Sequence, residues 1–231
     1  MGTNNLRRRG PGKALICGVG INDVGAPTWW IENGKKVNCP IYSCWNRMLE
    51  RGHSLKFKTK YSAYDGVTVH PDWHRLSKFT EWLNTQPQVN WQELQIDKDL
   101  LVKGNKVYGP DTCCFLTNRE NSVFRPRNSI KLGSVSKNDR YERKKPWMCR
   151  ITRCNKHFFI GSFSTKEEAE FVAMRESMPI VIEIANANPH QFIRDAMYRW
   201  IDDWKSQLLL LESAFQKLGE QNNGTLQDHL C

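Results

Sequence analysis

Trp147, Cys149 and Ile151 alternate with Met148, Arg150 and Thr152, a period of two that fits a strand with one buried face. The strand lies in the most charged stretch of the chain. From Arg125 to His157 there are eleven basic residues (Arg125, Arg127, Lys131, Lys137, Arg140, Arg143, Lys144, Lys145, Arg150, Arg153, Lys156) against two acids, Asp139 and Glu142. That window therefore holds nine of the ten net positive charges of the protein. Charge gathered on one small module is the electrostatic footprint of a polyanion partner. The alternative is a solvated loop that keeps the chain in solution. Strand-like residues between the charges favour DNA or RNA.

The rest of the composition narrows the class. With 231 residues the chain suits one large domain or two small ones. Nine Trp and ten Phe in small clusters point to compact little cores. No window reaches the roughly 18 apolar residues that span a bilayer. Arg7-Arg8-Arg9 is followed by Gly10-Pro11-Gly12 with no apolar run of secretory length, so a cytoplasmic location is expected. Of eight cysteines, Cys39/Cys44 and Cys149/Cys154 are spaced C-x₄-C and Cys113-Cys114 are adjacent. None forms C-x-x-C, and the apolar neighbours Ile41, Phe115 and Ile151 read as core. Free buried thiols are expected, and zinc is not.

The organisation follows from periodicity. Residues 1–13 read as a disordered basic tail. Residues 14–38 mix strand-like and turn-like character, with turn signals at Gly25, Pro27 and Asn33-Gly34. From Pro40, the apolar positions Ile41, Cys44, Trp45, Met48 and Leu49 predict an amphipathic helix ending at Gly52. A short strand at Val67 to Val69 precedes a helix starting at Pro71-Asp72, with the stripe Trp73, Leu76, Phe79, Trp82 and Leu83. Residues 94–124 read as strand (94–97), loop, short strand (106–108), turn, then a helix from near Asp111-Thr112. Residues 129–186 read as three strands and a helix. There Thr165 and Glu168 form a capping box, and Pro179 kinks or splits the helix.

A last helix opens at Asn188-Pro189. Its seam of Ile193, Met197, Trp200, Trp204, Leu208, Leu211, Phe215 and Leu218 is close to heptad spacing. That seam suits either docking on its own domain or a homodimer. The fold class is α+β: a helical part with a ββα segment over 14–125, a three-stranded antiparallel sheet packed on a helix over 126–186, and a long C-terminal helix with its tail over 187–231.

Chemistry, if present, belongs to the ββα segment. Asp97-Lys98-Asp99 ends a strand, and Asn118 and Asn121 lie on the helix after it. A carboxylate and a helix-borne amide suit a hard cation such as Mg²⁺ or Mn²⁺ beside a phosphate oxygen. The same residues also serve as ordinary caps and turns.

The run Asp97-Lys98-Asp99 … Asn105-Lys106-Val107-Tyr108-Gly109-Pro110-Asp111-Thr112-Cys113 … Phe115-Leu116-Thr117 … Asn121 resembles the ββα-metal (HNH) motif of phage-encoded homing endonucleases. The upstream residues Cys39-Pro40, Trp45, Met48-Leu49, Arg51, Trp73, Phe79 and Trp82 resemble the segment that precedes this motif. The resemblance implies a DNA endonuclease with Asp97 and Asn121 on the metal, Thr112, Cys113 and Phe115 holding hairpin to helix, and metal-assisted phosphodiester hydrolysis. One departure matters. Lys98 stands where the family has its general-base histidine, and a lysine with the reference pKa of about 10.4 cannot accept a proton at neutral pH. Lys98 is then strongly desolvated, or His70 or His74 serves as base, or the chain is a non-catalytic DNA-binding relative of such nucleases.

The segment Leu132-Gly133-Ser134-Val135-Ser136 … Trp147-Met148-Cys149-Arg150-Ile151 … His157-Phe158-Phe159-Ile160-Gly161-Ser162-Phe163-Ser164-Thr165-Lys166-Glu167-Glu168-Ala169 resembles the ethylene-response-factor (Apetala-two) type of DNA-binding domain. Such a domain lays a three-stranded sheet in the major groove of double-stranded DNA. Alternation places Trp147, Cys149, Ile151, Phe158 and Ile160 toward the helix, and Met148, Arg150, Thr152, His157 and Phe159 outward. The resemblance makes the outward set DNA-binding, with Arg150 suited to a bidentate guanine contact. Arg143, Lys144 and Lys145 suit phosphate contacts.

Overall fold

The computed structural model describes residues 15–25, 27–125, 133–138, 144–153 and 156–227, with side chains as far as 216. The expected basic tail, Arg143 and the expected hairpin turn at Asn155 lie outside the described residues. The chain is a mixed helix and strand protein with six α-helices among the described residues. It divides into two compact units, Met1–Asn118 and Arg119–Cys231. The C-terminal helix belongs to the second unit.

The first unit starts with β1 (Trp29–Glu32) and β2 (Lys35–Asn38), an antiparallel hairpin. Asn33 and Gly34, at φ of 49° and 73°, supply the left-handed pair that such a two-residue turn needs. Helix α1 (Pro40–His53) begins on a proline whose missing N–H costs nothing at a helix start. It buries Trp45, Met48 and Leu49. Gly52 is not its stop. The helix runs on to His53, and a Cβ at Gly52 would lie 2.6 Å from Val69 Cγ2. The glycine is there for close packing on β3 (Thr68–Val69).

Helix α2 (Leu55–Lys60) follows directly. The expected helix at Pro71 is a 3₁₀ turn, Pro71–His74, that leads into α3 (Leu76–Asn84). Trp73, Leu76, Phe79 and Leu83 are buried as the stripe requires, and Trp82 packs on them half-buried. Two indole N–H groups are tied to the backbone: Trp45 Nε1 donates to Trp73 O at 2.6 Å, and Trp82 Nε1 to Pro110 O at 3.1 Å.

Strands β4 (Gln95–Asp97), β5 (Val107–Tyr108) and β6 (Cys114–Leu116) depart from expectation. Residues 114–116 form a strand, not a helix, and β6 pairs antiparallel with β4 while β5 pairs parallel with β3. All three β6 side chains are buried. A short apolar run buried on both faces shows no period, so sequence alone cannot tell it from a helix. Helix α4 starts only at Asn118 and ends at Val123.

In the second unit, β7 (Gly133–Lys137), β8 (Trp147–Arg153) and β9 (Lys156–Phe163) form one antiparallel sheet in the order β7-β8-β9. Helix α5 (Lys166–Ala187) crosses one face of it. Its start is the expected capping box: Glu168 N donates to Thr165 Oγ1, and Thr165 N to Glu168 Oε2. Pro179 sits inside a single helix and does not split it. Cys149, Ala169 and Ala173 form the buried centre between sheet and helix, with Val135, Trp147, Ile160 and Phe163 around them. A Cβ at Gly133 would meet Ala173 Cβ at 2.7 Å, so the glycine lets helix and sheet approach closely.

Helix α6 (Gln191–Gln227) packs beside α5. The first half of its seam, Ile193, Met197, Trp200 and Trp204, is buried. Further on, Phe215 meets Phe171 of α5 at 5.5 Å. Leu209 and Leu210, off the seam, are exposed. No helix among the described residues is long and apolar enough to cross a membrane.

Candidate functional site

The two regions singled out by sequence are built differently. At the end of β4, Asp97 is buried and its Oδ1 accepts from the backbone N–H groups of Asp99 (2.9 Å) and Leu100 (2.8 Å) in the loop that follows. The carboxylate therefore shapes the turn. Burial pushes its carboxyl above the usual carboxylate range; the Leu100 and Asp99 N–H groups and the Lys98 charge oppose that shift. Lys98 is also buried. Its Nζ lies 2.6 Å from Asp99 Oδ1, donates to Asn105 O at 3.3 Å and sits 5.8 Å from the centre of the Tyr108 ring.

Asn105 closes the loop. Its Nδ2 donates to Lys98 O and Val107 O, both at 2.7 Å, and its Oδ1 accepts from Val107 N at 3.1 Å. Thr112 Oγ1 donates to Val107 O at 2.8 Å. Cys113 and Phe115 are core residues of the first unit. Lys98 is thus desolvated as one expectation required, but it is fastened by an ion pair with Asp99.

The other expected bases have structural partners. His70 Nδ1 accepts from Asp72 N at 3.3 Å at the start of the 3₁₀ turn, and His74 packs against His53. Asn121 lies on α4, in the second unit, whereas Asp97 belongs to the first. Among the described residues no group of three or more His, Cys, Asp or Glu could hold a metal ion. Of the cysteines, Cys17, Cys39, Cys44, Cys113, Cys114 and Cys149 are free thiols. Burial pushes the Cys44 thiol up to about 11, which suits packing better than reactivity.

The outer face of the β7–β9 sheet has the opposite character. Residues directly paired across antiparallel strands project to the same side. The pairings Ser134↔Arg150, Ser136↔Met148, Arg150↔Phe159 and Thr152↔His157 therefore gather these side chains on one face. Val135, Cys149, Trp147 and Phe163 are on the other, against α5. Arg150 is exposed at the centre of its face, between Ser134 and Phe159, and makes no hydrogen bond or ion pair among the described residues. Phe159 is 59% exposed. Thr152 Oγ1 and His157 Nδ1 are 3.0 Å apart and hold each other. Lys144 and Lys145, also exposed, precede β8.

All five residues expected to face outward do so. The inward set needs one correction: Phe158 pairs with Ile151 on the helix side but is 46% exposed, because β9 is an edge strand that α5 covers less than β7 and β8. The register shifts at Cys149/Arg150, so that Gly161 faces Cys149, Phe159 faces Arg150, and Ile160 is the extra residue. This bulge returns Gly161 and Phe163 to the helix side, where unbroken alternation from Phe158 would place them outside.

Ser134 and Ser136 belong to the outer face without having been assigned there. The alternation of Ser134, Val135 and Ser136 was the signal for them. No family model, no curated protein and no solved structure matches the chain.

Proposed function

We propose that this chain binds double-stranded DNA with the outer face of its three-stranded sheet. One observation carries the reading: on that face an exposed guanidinium, unpaired among the described residues, is flanked by a hydroxyl and an exposed aromatic ring, in the most basic window of the chain. A major groove about 12 Å wide admits β-strands. Arg150 offers the planar fork that fits guanine O6 and N7, Phe159 and Met148 offer apolar contact for thymine methyls, and Ser134, Ser136 and the Thr152–His157 pair offer adaptable hydrogen bonds. Lys144, Lys145 and Arg143 supply phosphate contacts. The resemblance to ethylene-response-factor-type domains supports the same groove. Selection of bound duplexes from a random pool tests it: the wild type enriches a motif containing guanine and Arg150→Ala loses it. Enrichment of the same motif by both proteins would remove Arg150 from base reading.

A second reading, metal-assisted DNA cleavage in the manner of HNH homing endonucleases, rests on the order of elements. A strand ends in Asp97, a second strand pairs back on it, and a helix follows. Mg²⁺ or Mn²⁺ at Asp97 would stabilise charge on the phosphate in the transition state. Supercoiled-plasmid nicking tests this, with Asp97→Asn as the control. Asn keeps an Oδ1 for the two backbone donors, whereas Ala would disrupt the turn as well as the chemistry. Metal-dependent nicking lost in Asp97→Asn supports the nuclease. DNA retardation without nicking leaves the binding protein.

A further inference from the structure

Phe159 pairs directly with Arg150 across the β8–β9 ladder, and it is 59% exposed. Of the two apolar side chains on the outer face, it is the open one. Met148 is half-buried, and its Sδ lies 4.0 Å from Asn138 Nδ2. The rest of the face around Arg150 is polar: Ser134 opposite it on β7, Ser136 and Ser162 opposite Met148, and the Thr152–His157 pair beyond. One phenyl ring thus stands beside one guanidinium.

Such a pair has a defined use in a major groove. Inside a duplex the base faces are stacked, and only the base edges meet a protein. Those edges carry hydrogen-bonding groups and one kind of apolar group, the C5-methyl of a pyrimidine. Side chains paired across strands have Cβ atoms about 4.5–5.5 Å apart, and base pairs repeat about every 3.4 Å. With Arg150 on guanine O6 and N7, the Phe159 ring therefore falls on the neighbouring base pair. We propose that the sheet face reads a C5-methyl group beside the guanine, and so takes thymine or 5-methylcytosine there in preference to cytosine. This inference rests on the DNA-binding reading above and adds to it a sensitivity to cytosine methylation.

The chemistry of the face separates the methyl from the rest of the pyrimidine. Cytosine presents an N4 donor and thymine an O4 acceptor, and a phenyl ring bonds to neither. The hydroxyls of Ser134 and Ser136 can each donate or accept, so the polar neighbours tolerate both pyrimidines. 5-Methylcytosine keeps the donor of cytosine and adds the methyl, whereas uracil keeps the acceptor of thymine and lacks it. The two bases isolate what Phe159 contributes.

The test starts from duplexes that the full-length protein selects from a random pool, with thymine expected beside the guanine. In the selected duplex, uracil for that thymine should weaken binding about fourfold, the worth of one small apolar group. 5-Methylcytosine at the same position should bind about fourfold more tightly than cytosine. Phe159→Ala should remove both differences and keep the demand for guanine, whereas Phe159→Leu should retain them. An enriched guanine motif with no thymine beside it, or one whose affinity ignores the methyl in either comparison, would overturn the inference and leave the DNA-binding reading standing. Differences that survive in Phe159→Ala would overturn it too. No enriched motif at all would overturn both readings. The wild-type comparisons decide the matter even if a variant fails to fold.

Discussion

The loop after β4 and the outer face of the β7–β9 sheet are both rich in polar side chains, yet they handle them in opposite ways. In the loop, Asp97, Lys98, Asp99, Asn105 and Thr112 satisfy one another and the backbone at short range. On the sheet, Arg150 has no partner among the described residues and Phe159 stands in solvent. Polar groups that complete each other hold a fold together, because leaving any one unmatched is costly. Groups left open to solvent cost the fold little and remain available to a ligand. The loop is chiefly architectural, whereas the sheet face leaves its guanidinium and its aromatic ring open.

The largest expected effect lies in the loop. Asp99→Ala strands the Lys98 ammonium in a buried position and should cost about 3 kcal/mol in chemical denaturation. Adding Lys98→Met should recover much of that loss. An additive double variant would show that the pair is not coupled and would break the contrast. On the sheet, Arg150→Ala should weaken specific DNA binding by about 1–3 kcal/mol while stability changes by no more than about 0.5 kcal/mol. A large fall in stability would place Arg150 among the structural residues after all.

Two aspartates sharpen the comparison through pH. Asp23 is held below the usual carboxylate range: partial burial acts against this, but hydrogen bonds from the Ser77 side chain and backbone, helped by Arg75, outweigh it. The stability it contributes is present above the unfolded-state value and lost as pH falls through the lower folded value. Asp23→Ala should cost about 1 kcal/mol near neutrality, as for other lost helix caps, and less in strong acid. Asp97 is shifted the other way, so its share of stability falls as pH rises from the unfolded value through the higher folded one. Asp97→Asn should remove that slope and leave the protein at least as stable near neutral pH. Denaturation curves at several pH values check both signs. The smallest effect belongs to Lys144→Ala, which should lower the salt dependence of DNA binding by about one unit of slope without changing sequence preference.

How much of this was legible in the sequence depends on the range of the interactions. The capping box at Thr165, the alternation in β8 and the stripe of α3 are local patterns, and they were readable. Gly52 read as a helix stop because its purpose, room for Val69, lies on a different element. Strand β6 read as helix because burial on both faces erases the period. The cap of α3 was invisible, since Arg75 at the N-cap makes no side-chain cap and Asp23 supplies it from 54 residues upstream of Ser77. At the candidate sites, the outward residues followed from alternation. The ion pair of Lys98 and the keystone role of Asn105 needed the folded loop.

The alternation of β8 has a consequence for how such a protein can change over generations. Trp147 and Cys149 point into the packed side, while Met148, Arg150 and Thr152 occupy the other. The two sets are interleaved in sequence but lie on opposite faces of the sheet. Substitutions in the second set should therefore carry little penalty to folding, so the outer face can change one position at a time while its scaffold stays intact.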